Sequence, residues 1–260
     1  MVLKAHDDAY ARDFPEQWYD AASEDHFWME WRARVLSEHL LRVGLDPRAA
    51  LSAFDIGCGH GAVQRQLARS TVWIIDGCDL NDVAIARNTG HRGCIRRYNI
   101  FDKSPELRER YDIVFLLDVI EHVKDPVAFL NAAAYYSKPN GVVVINVPSV
   151  PSLASAYDKA VGHLRRYTKS SLRRDVSDAG LRIITISYWG MSLLPLLALR
   201  KLLLSFTRPK NIIARGLNPP GRLADKILRM TMTAELAVTH DAPWGTSLLA
   251  VAARRMDSPS

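Results

Sequence analysis

Acidic, imidazole and glycine residues recur along this chain in patterns that bind or activate a ligand. Asp55-Ile56-Gly57-Cys58-Gly59-His60-Gly61 sets a carboxylate two residues before a glycine triplet. Glycine has no Cβ, so a backbone built from it can turn tightly and approach a ligand closely. Asp79 follows about 20 residues beyond the glycines, where an acidic side chain accepts hydrogen bonds from a ribose diol in nucleotide-binding βαβ units. Asp118, Glu121 and His122 close an apolar run as a dense polar cluster, and His163 sits in Gly162-His163-Leu164-Arg165-Arg166-Tyr167-Thr168. A carboxylate at a strand tip suits a cationic ligand and repels a pyrophosphate. An imidazole with an ordinary pKa of about 6.5 suits proton abstraction at neutral pH.

These residues need strands and helices to position them. Leu51 to Phe54 reads as a strand before the glycines, and Ala62 to Ala68 as the helix after them, with free N–H groups facing the ligand. Thr71 to Asp79 is a buried strand, so Asp79 falls at its tip. Asp79 could instead cap a helix starting near Asn81-Asp82; the spacing favours the ribose. Gly93 to Tyr98 is a third strand, followed by Asn99-Ile100-Phe101-Asp102. Tyr111 to Val123 opens as the continuous apolar run of a central parallel strand covered on both faces. Asp125-Pro126 starts a helix, Lys138-Pro139-Asn140-Gly141 is a turn, and Val142 to Val147 is a strand. The segment 148–167 is long for a loop and carries Tyr157, His163, Arg165 and Arg166. Thr168 caps a helix over 170–179, and Leu181 to Trp189 and Thr246 to Arg254 are the last strands. Upstream, 14–43 reads as one helix with Phe27, Trp31 and Val35 on its apolar face. Its aromatic residues suit a core-packing face, with a lid over a pocket as the competing reading.

Asp55-x-Gly57-x-Gly59-x-Gly61 resembles the glycine motif of class I S-adenosylmethionine methyltransferases. The run 111–123, the helix, turn and strand of 125–147, and the segment 162–168 resemble the branch that holds ubiquinone-biosynthesis, glycan and natural-product O-methyltransferases. Gly57-x-Gly59-x-x-Ala62 also satisfies the dinucleotide fingerprint, but the third glycine, Asp55 and the fourth-strand run favour the first reading. The resemblance implies an α/β, Rossmann-like, seven-stranded and mostly parallel sheet of order 3-2-1-4-5-7-6, its last strand antiparallel, with helices on both faces. It implies S-adenosyl-L-methionine as cofactor and S-adenosyl-L-homocysteine as product. The cofactor residues it implies are Asp55, Gly57, Cys58, Gly59, Gly61, Asp79, Leu80, Asn99, Ile100, Phe101, Asp102, Leu117 and Asp118. Asn99 and Asp102 both qualify for the adenine amine. His122 is the first candidate for a base, Glu121 orients it or faces the substrate, and His163 is the second candidate.

Composition sets wider bounds. With 260 residues, 48% hydrophobic and 24% charged, the chain is of ordinary globular type. It is read as one methyltransferase domain, with an N-terminal helical segment over 1–45 and a helical insertion over 190–240. Three cysteines and no secretory start point to the cytoplasm. No C-x-x-C pair occurs, which argues against a structural zinc site, and no metal ligand is assigned. The expected acceptor is a hydroxyl of a small molecule, glycan or lipid-linked intermediate. Nucleic acid or protein as acceptor, and a non-catalytic S-adenosylmethionine-binding role, are the alternatives; nucleic acid is not favoured. The stretch 193–229 is apolar, then basic. It is read as a cap over an apolar pocket or as packing, with peripheral contact at the inner face of a membrane as the competing reading. Asn218-Pro219-Pro220 lies far from the fourth strand and is read as a turn.

Overall fold

The computed structural model describes residues 14–90, 92–204, 212–213, 221–239 and 241–255. Seven strands form one sheet: β1 (Ser52–Ile56), β2 (Ile74–Asp79), β3 (Ile95–Arg97), β4 (Tyr111–Leu117), β5 (Ser137–Pro148), β6 (Leu181–Trp189) and β7 (Ser247–Arg254). Their order is β3-β2-β1-β4-β5-β7-β6, as expected. β7 runs antiparallel to both β5 and β6, and the other pairings are parallel. The helices are α1 (Glu16–Ala21), α2 (Phe27–Arg42), α3 (Ala62–Ala68), α4 (Asp82–Arg87), α5 (Pro126–Ala134), α6 (Ala156–Val161), α7 (Lys169–Asp178), α8 (Leu194–Leu204) and α9 (Arg222–Val238).

The apolar run of β4 divides between two cores because strand side chains alternate in direction. Val114 and Leu116 enter the core roofed by α5 and α7. Ile113, Phe115 and Leu117 enter the core roofed by α2 and α9. A strand covered on both faces has no polar side to show, which explains the unbroken apolar sequence. α2 buries Phe27, Trp31, Val35, Leu36 and Leu40 in the second core, the face its period marks out.

Three expected elements differ. The helix over 14–43 is two helices, because the His26 ring accepts the Trp28 N–H and begins α2 afresh. The turn 138–141 lies within β5 as an irregularity: Tyr111 pairs with Ser137, but Ile113 pairs with Val142. The loop 148–167 contains α6, closed by a capping box between Ser155 and Asp158. Asn218-Pro219-Pro220 lies outside the described residues.

Asp76, 4% exposed, clips three strands together away from the strand tips. Its carboxylate accepts the Cys94 N–H and the Tyr111 hydroxyl, both at 2.8 Å. Asp76→Ala leaves two donors without their acceptor and should destabilise the fold by about 2–3 kcal/mol. Urea unfolding measures this; a change under about 0.5 kcal/mol, the usual range of a surface substitution, contradicts the clip.

Candidate active site

The carboxyl ends of β1, β2 and β4 open into a cavity of about 1270 Å³. Pockets for a single small ligand are about 300–1,000 Å³, so this one has room for two molecules side by side. β1 ends in the glycine turn. The N–H groups of Gly57 and Cys58 both donate to the Cys78 carbonyl, at 2.8 and 3.0 Å. Gly57 has φ +74°, and a Cβ there would lie 2.7 Å from Cγ2 of Val119. The close approach of the β1 and β4 tips therefore requires glycine at 57. Asp79, at the tip of β2, accepts the N–H groups of Gly59 and Asn81, each at 2.9 Å. Asn81, not Asp79, caps α4, accepting the Ala84 N–H at 3.0 Å.

Asp118 stands at the tip of β4 with φ +59°. The Asn146 side chain donates to Asp118 Oδ1 at 2.7 Å, and Trp189 Nε1 donates to Asn146 Oδ1 at 2.9 Å. Arg32, reaching across from α2, donates to Asp118 Oδ2. Its guanidinium also lies over the Trp28 ring, 5.1 Å from the centroid. Arg32 is 5% exposed and lines the cavity. The sequence reading missed it. The signal was present, as a charged residue on the apolar face of an amphipathic helix.

The electrostatics of this wall are one-sided. Burial pushes Asp55 up to about 7; Arg32 opposes the shift and Asp79 adds to it. Burial also raises Asp79, against hydrogen bonds from Asn81, Gly59 and Leu80. Glu121 is fully buried, and burial followed by the charge of Asp118 holds its carboxyl well above the usual range. Neither Glu121 oxygen has a hydrogen-bond partner among the described residues.

The two histidines occupy different settings. His122 Nδ1 donates to the Gly162 carbonyl at 3.2 Å. Burial, then His163, push His122 down to about 3. The rings of His122 and His163 meet edge to face, centroids 4.8 Å apart. His163 is placed by the end of α6. Gly162, at φ +76°, turns the chain back so that the His163 N–H donates to the Asp158 carbonyl at 2.8 Å. His163 Nδ1 then donates to Asp158 Oδ1 at 3.0 Å. Arg166 Nε donates to the same oxygen at 2.6 Å, and Ser155 N and Oγ donate to the other. Burial works against the charge of Asp158, but the bonds from His163 and Arg166 outweigh it and hold the carboxyl well below the usual range. His163 Nε2 lies 3.9 Å from Glu121 Oε1. The carboxylate that orients a histidine is thus Asp158, on His163. Asp158 was not read from the sequence, where nothing marks a residue five before a histidine as its partner.

Most residues named from the sequence line this one cavity. Asp55, Gly57, Cys58, Gly59, Asp79, Leu80 and Asn99 do so, with Ile100, Phe101, Leu117, Asp118, Glu121, His122 and His163. Gly61 and Asp102 do not. Gly61 sits behind the turn against Asn88, and Asp102 is exposed. Asn99 Oδ1 accepts the Phe101 N–H at 3.0 Å, which fixes the chain where Ile100 and Phe101 enter the wall. Although no metal ligand was assigned, Glu121, His122 and His163 offer ligand atoms within 4.8 Å of one another, a donor set of the kind divalent ions take. The far side of the cavity is largely apolar, walled by Trp18, Tyr157, Leu164 and the α8 residues Leu196, Leu197 and Leu203, with the Arg200 guanidinium over the Tyr157 ring.

A parallel sheet with one antiparallel strand, a glycine turn and acidic strand tips around a large cavity defines a methyltransferase architecture. A family model described as a methyltransferase domain matches residues 28–186, and the chain belongs to that family. Ubiquinone biosynthesis O-methyltransferase of Parvibaculum lavamentivorans is 27% identical over 207 residues, covering 69% of this chain and 81% of that one. The same-named protein of Rhodopseudomonas palustris is 37% identical over 105 residues, covering 39% of this chain and 41% of the relative, less than half its length. Phosphoethanolamine N-methyltransferase 2 of Haemonchus contortus superposes with a TM-score of 0.59 at 19% identity, covering 95% of this chain and 60% of that one. An S-adenosylmethionine-dependent methyltransferase of Mesorhizobium loti superposes at 0.53 and 15% identity, covering 83% and 96%. The two structures show the shared fold.

The raised Asp55 has a consequence for stability. Folded, it ionises near 7 instead of at the ordinary 3.8. The folded chain therefore holds its proton more tightly than the unfolded chain. The stability from protonated Asp55 is complete below the lower value and lost as pH rises through the upper one. In that window the ligand-free chain should lose about 1.4 kcal/mol per pH unit from this group, and Asp55→Asn should remove that slope. Urea unfolding of both proteins across the window checks it; parallel profiles contradict the assignment.

Proposed function

We propose that the chain transfers a methyl group from S-adenosyl-L-methionine to a hydroxyl of a small-molecule, glycan or lipid-linked acceptor, with His163 as the base. The pairing of His163 with Asp158 on the cavity wall is the observation that carries this reading. A hydroxyl must lose its proton as it is methylated, and an oriented imidazole provides the acceptor for that proton. Asp158 accepts from Nδ1, which leaves Nε2 as the basic nitrogen. The residue assignment revises the order in which the sequence ranked the two histidines. His122 is the weaker base, because burial and its neighbour oppose its protonation.

The donor set fits the cofactor. Asp55 and Asp118 suit an ammonium, and Arg32 suits the carboxylate of an amino-acid tail. The Asp79 carboxylate can accept from a ribose diol through lone pairs its two backbone donors leave open. Leu80, Ile100 and Phe101 offer apolar walls to an adenine, with Asn99 at the edge. When bound, S-adenosylmethionine supplies an activated methyl that passes in line to the attacking oxygen. The protein then has two tasks. It holds the partners in line, a service worth about 7–11 kcal/mol where orientation is good. It also takes the hydroxyl proton onto His163 Nε2, with Asp158 stabilising the imidazolium. The apolar far wall favours an acceptor with a substantial hydrocarbon part.

The test is release of S-adenosylhomocysteine with a panel of phenols, glycosides and prenylated phenols. His163→Ala should lower kcat at least about a hundredfold while binding of S-adenosylhomocysteine is unchanged. Asp158→Asn should lower kcat and leave KM nearly fixed. His122→Ala should cost less than His163→Ala. A deeper loss at His122 than at His163, with both variants folded, overturns the choice of base.

A further inference from the structure

α9 has a second face that the cavity does not use. α9 packs Leu228, Met232 and Leu236 inward on the core. Turned by about half a circle at 100° per residue, Leu223, Ile227, Met230, Ala234 and Val238 form a second apolar stripe. Of these, Leu223 is 73% exposed, Met230 64% and Val238 82%. A helix with one core face ordinarily shows polar residues on the other. α8 repeats the arrangement: Leu197 and Leu204 are buried, while Leu199, Leu202 and Leu203 are more than half exposed. Leu199 and Leu203 also line the cavity, as does Leu228 of α9. The uncovered apolar surface of α8 is therefore continuous with the cavity lining.

Charge identifies what covers it. Between 190 and 230 stand eight Lys and Arg residues and one acid, Asp225, a surplus of seven. The whole chain has a surplus of six. The rest of the chain is therefore balanced to within one charge, and the basic character of the protein is concentrated here. On α9 the exposed Arg222 and Lys226 flank the apolar stripe. No described helix is long and apolar enough to cross a membrane. A second copy of this surface would repel the first. A nucleic acid would leave the leucines in water.

We propose that α8 and α9 seat on an anionic lipid bilayer, with the apolar stripes in the headgroup boundary and the exposed Arg222 and Lys226 on lipid phosphates. Interfacial helices combine these two features. The inference stands whichever hydroxyl is methylated. It also gives a lipid-linked acceptor a direct path from bilayer to cavity.

Flotation of the full chain tests it, using vesicles of phosphatidylcholine alone and of phosphatidylcholine mixed with phosphatidylglycerol. Binding should favour the mixed vesicles and weaken with salt. The combined variant Leu202→Glu, Leu223→Glu, Ile227→Glu should bind them at least tenfold less, with affinity for S-adenosylhomocysteine unchanged as the control for folding. Arg222→Gln with Lys226→Gln should weaken binding about thirtyfold, at about 1 kcal/mol per charge. Equal binding to both vesicle types, or flotation of the leucine variant like wild type, overturns the proposal. So does a wild-type dimer that the leucine variant dissolves, or retention on duplex DNA without retention on vesicles.

Discussion

Four carboxyl groups crowd one wall of the cavity, and the buried Arg32 guanidinium stands among them. Asp55, Asp79, Asp118 and Glu121 come from three adjacent strands whose tips converge because the strands are parallel. Burial raises the carboxyls of Asp55, Asp79 and Glu121, and neighbouring negative charge adds to the shift at Asp55 and Glu121. Arg32 relieves part of this through Asp118. The remainder shows in the raised carboxyls of Asp55, Asp79 and Glu121, and a cation in the cavity would answer it. A sulfonium with an ammonium tail meets that electrostatic demand; a pyrophosphate worsens it. This constraint separates the chain from dinucleotide-binding proteins that share its glycine spacing.

The surrounding structure holds that wall in place. The file Trp189, Asn146, Asp118, Arg32 runs from β6 through β5 and β4 to α2. It ties the far edge of the sheet to the N-terminal helices. Across the cavity, α6 is short, yet its end geometry matters most. The reversal at Gly162 returns His163 onto Asp158, and Leu164 N–H then donates to the Glu121 carbonyl at 2.8 Å, joining this loop to the tip of β4. The acidic strand-tip wall and the loop that carries His163 are thus linked through the Glu121 segment.

Much of this was legible in the sequence. The unbroken apolar run of β4 suited a doubly covered strand, and the glycine triplet after β1 suited a tight turn. Sheet order followed from the resemblance, not from periodicity. Cavity residues that end strands were legible because a strand tip in a parallel sheet has one place to go. Arg32 and Asp158 were not, since their roles arise from tertiary approach: a helix laid over the strand tips, and a helix end that folds back. The break at His26 was hidden because its aromatic neighbours keep the helical period on both sides. The separation of Asn99 from Asp102 was hidden because one helical turn decides which side chain faces inward.

The central claim is that the buried acids of the strand tips are completed by a cationic cofactor. Calorimetric titration with S-adenosylhomocysteine, whose tail carries the ammonium, in buffers of different ionisation enthalpy near pH 7, tests it directly. With Asp55 ionising near 7 in the free chain, binding should release about half a proton as its carboxylate is drawn into the complex. Asp55→Asn should abolish the release. Binding with no proton released, or a clear titration with a nicotinamide dinucleotide and none with S-adenosylhomocysteine, contradicts the account.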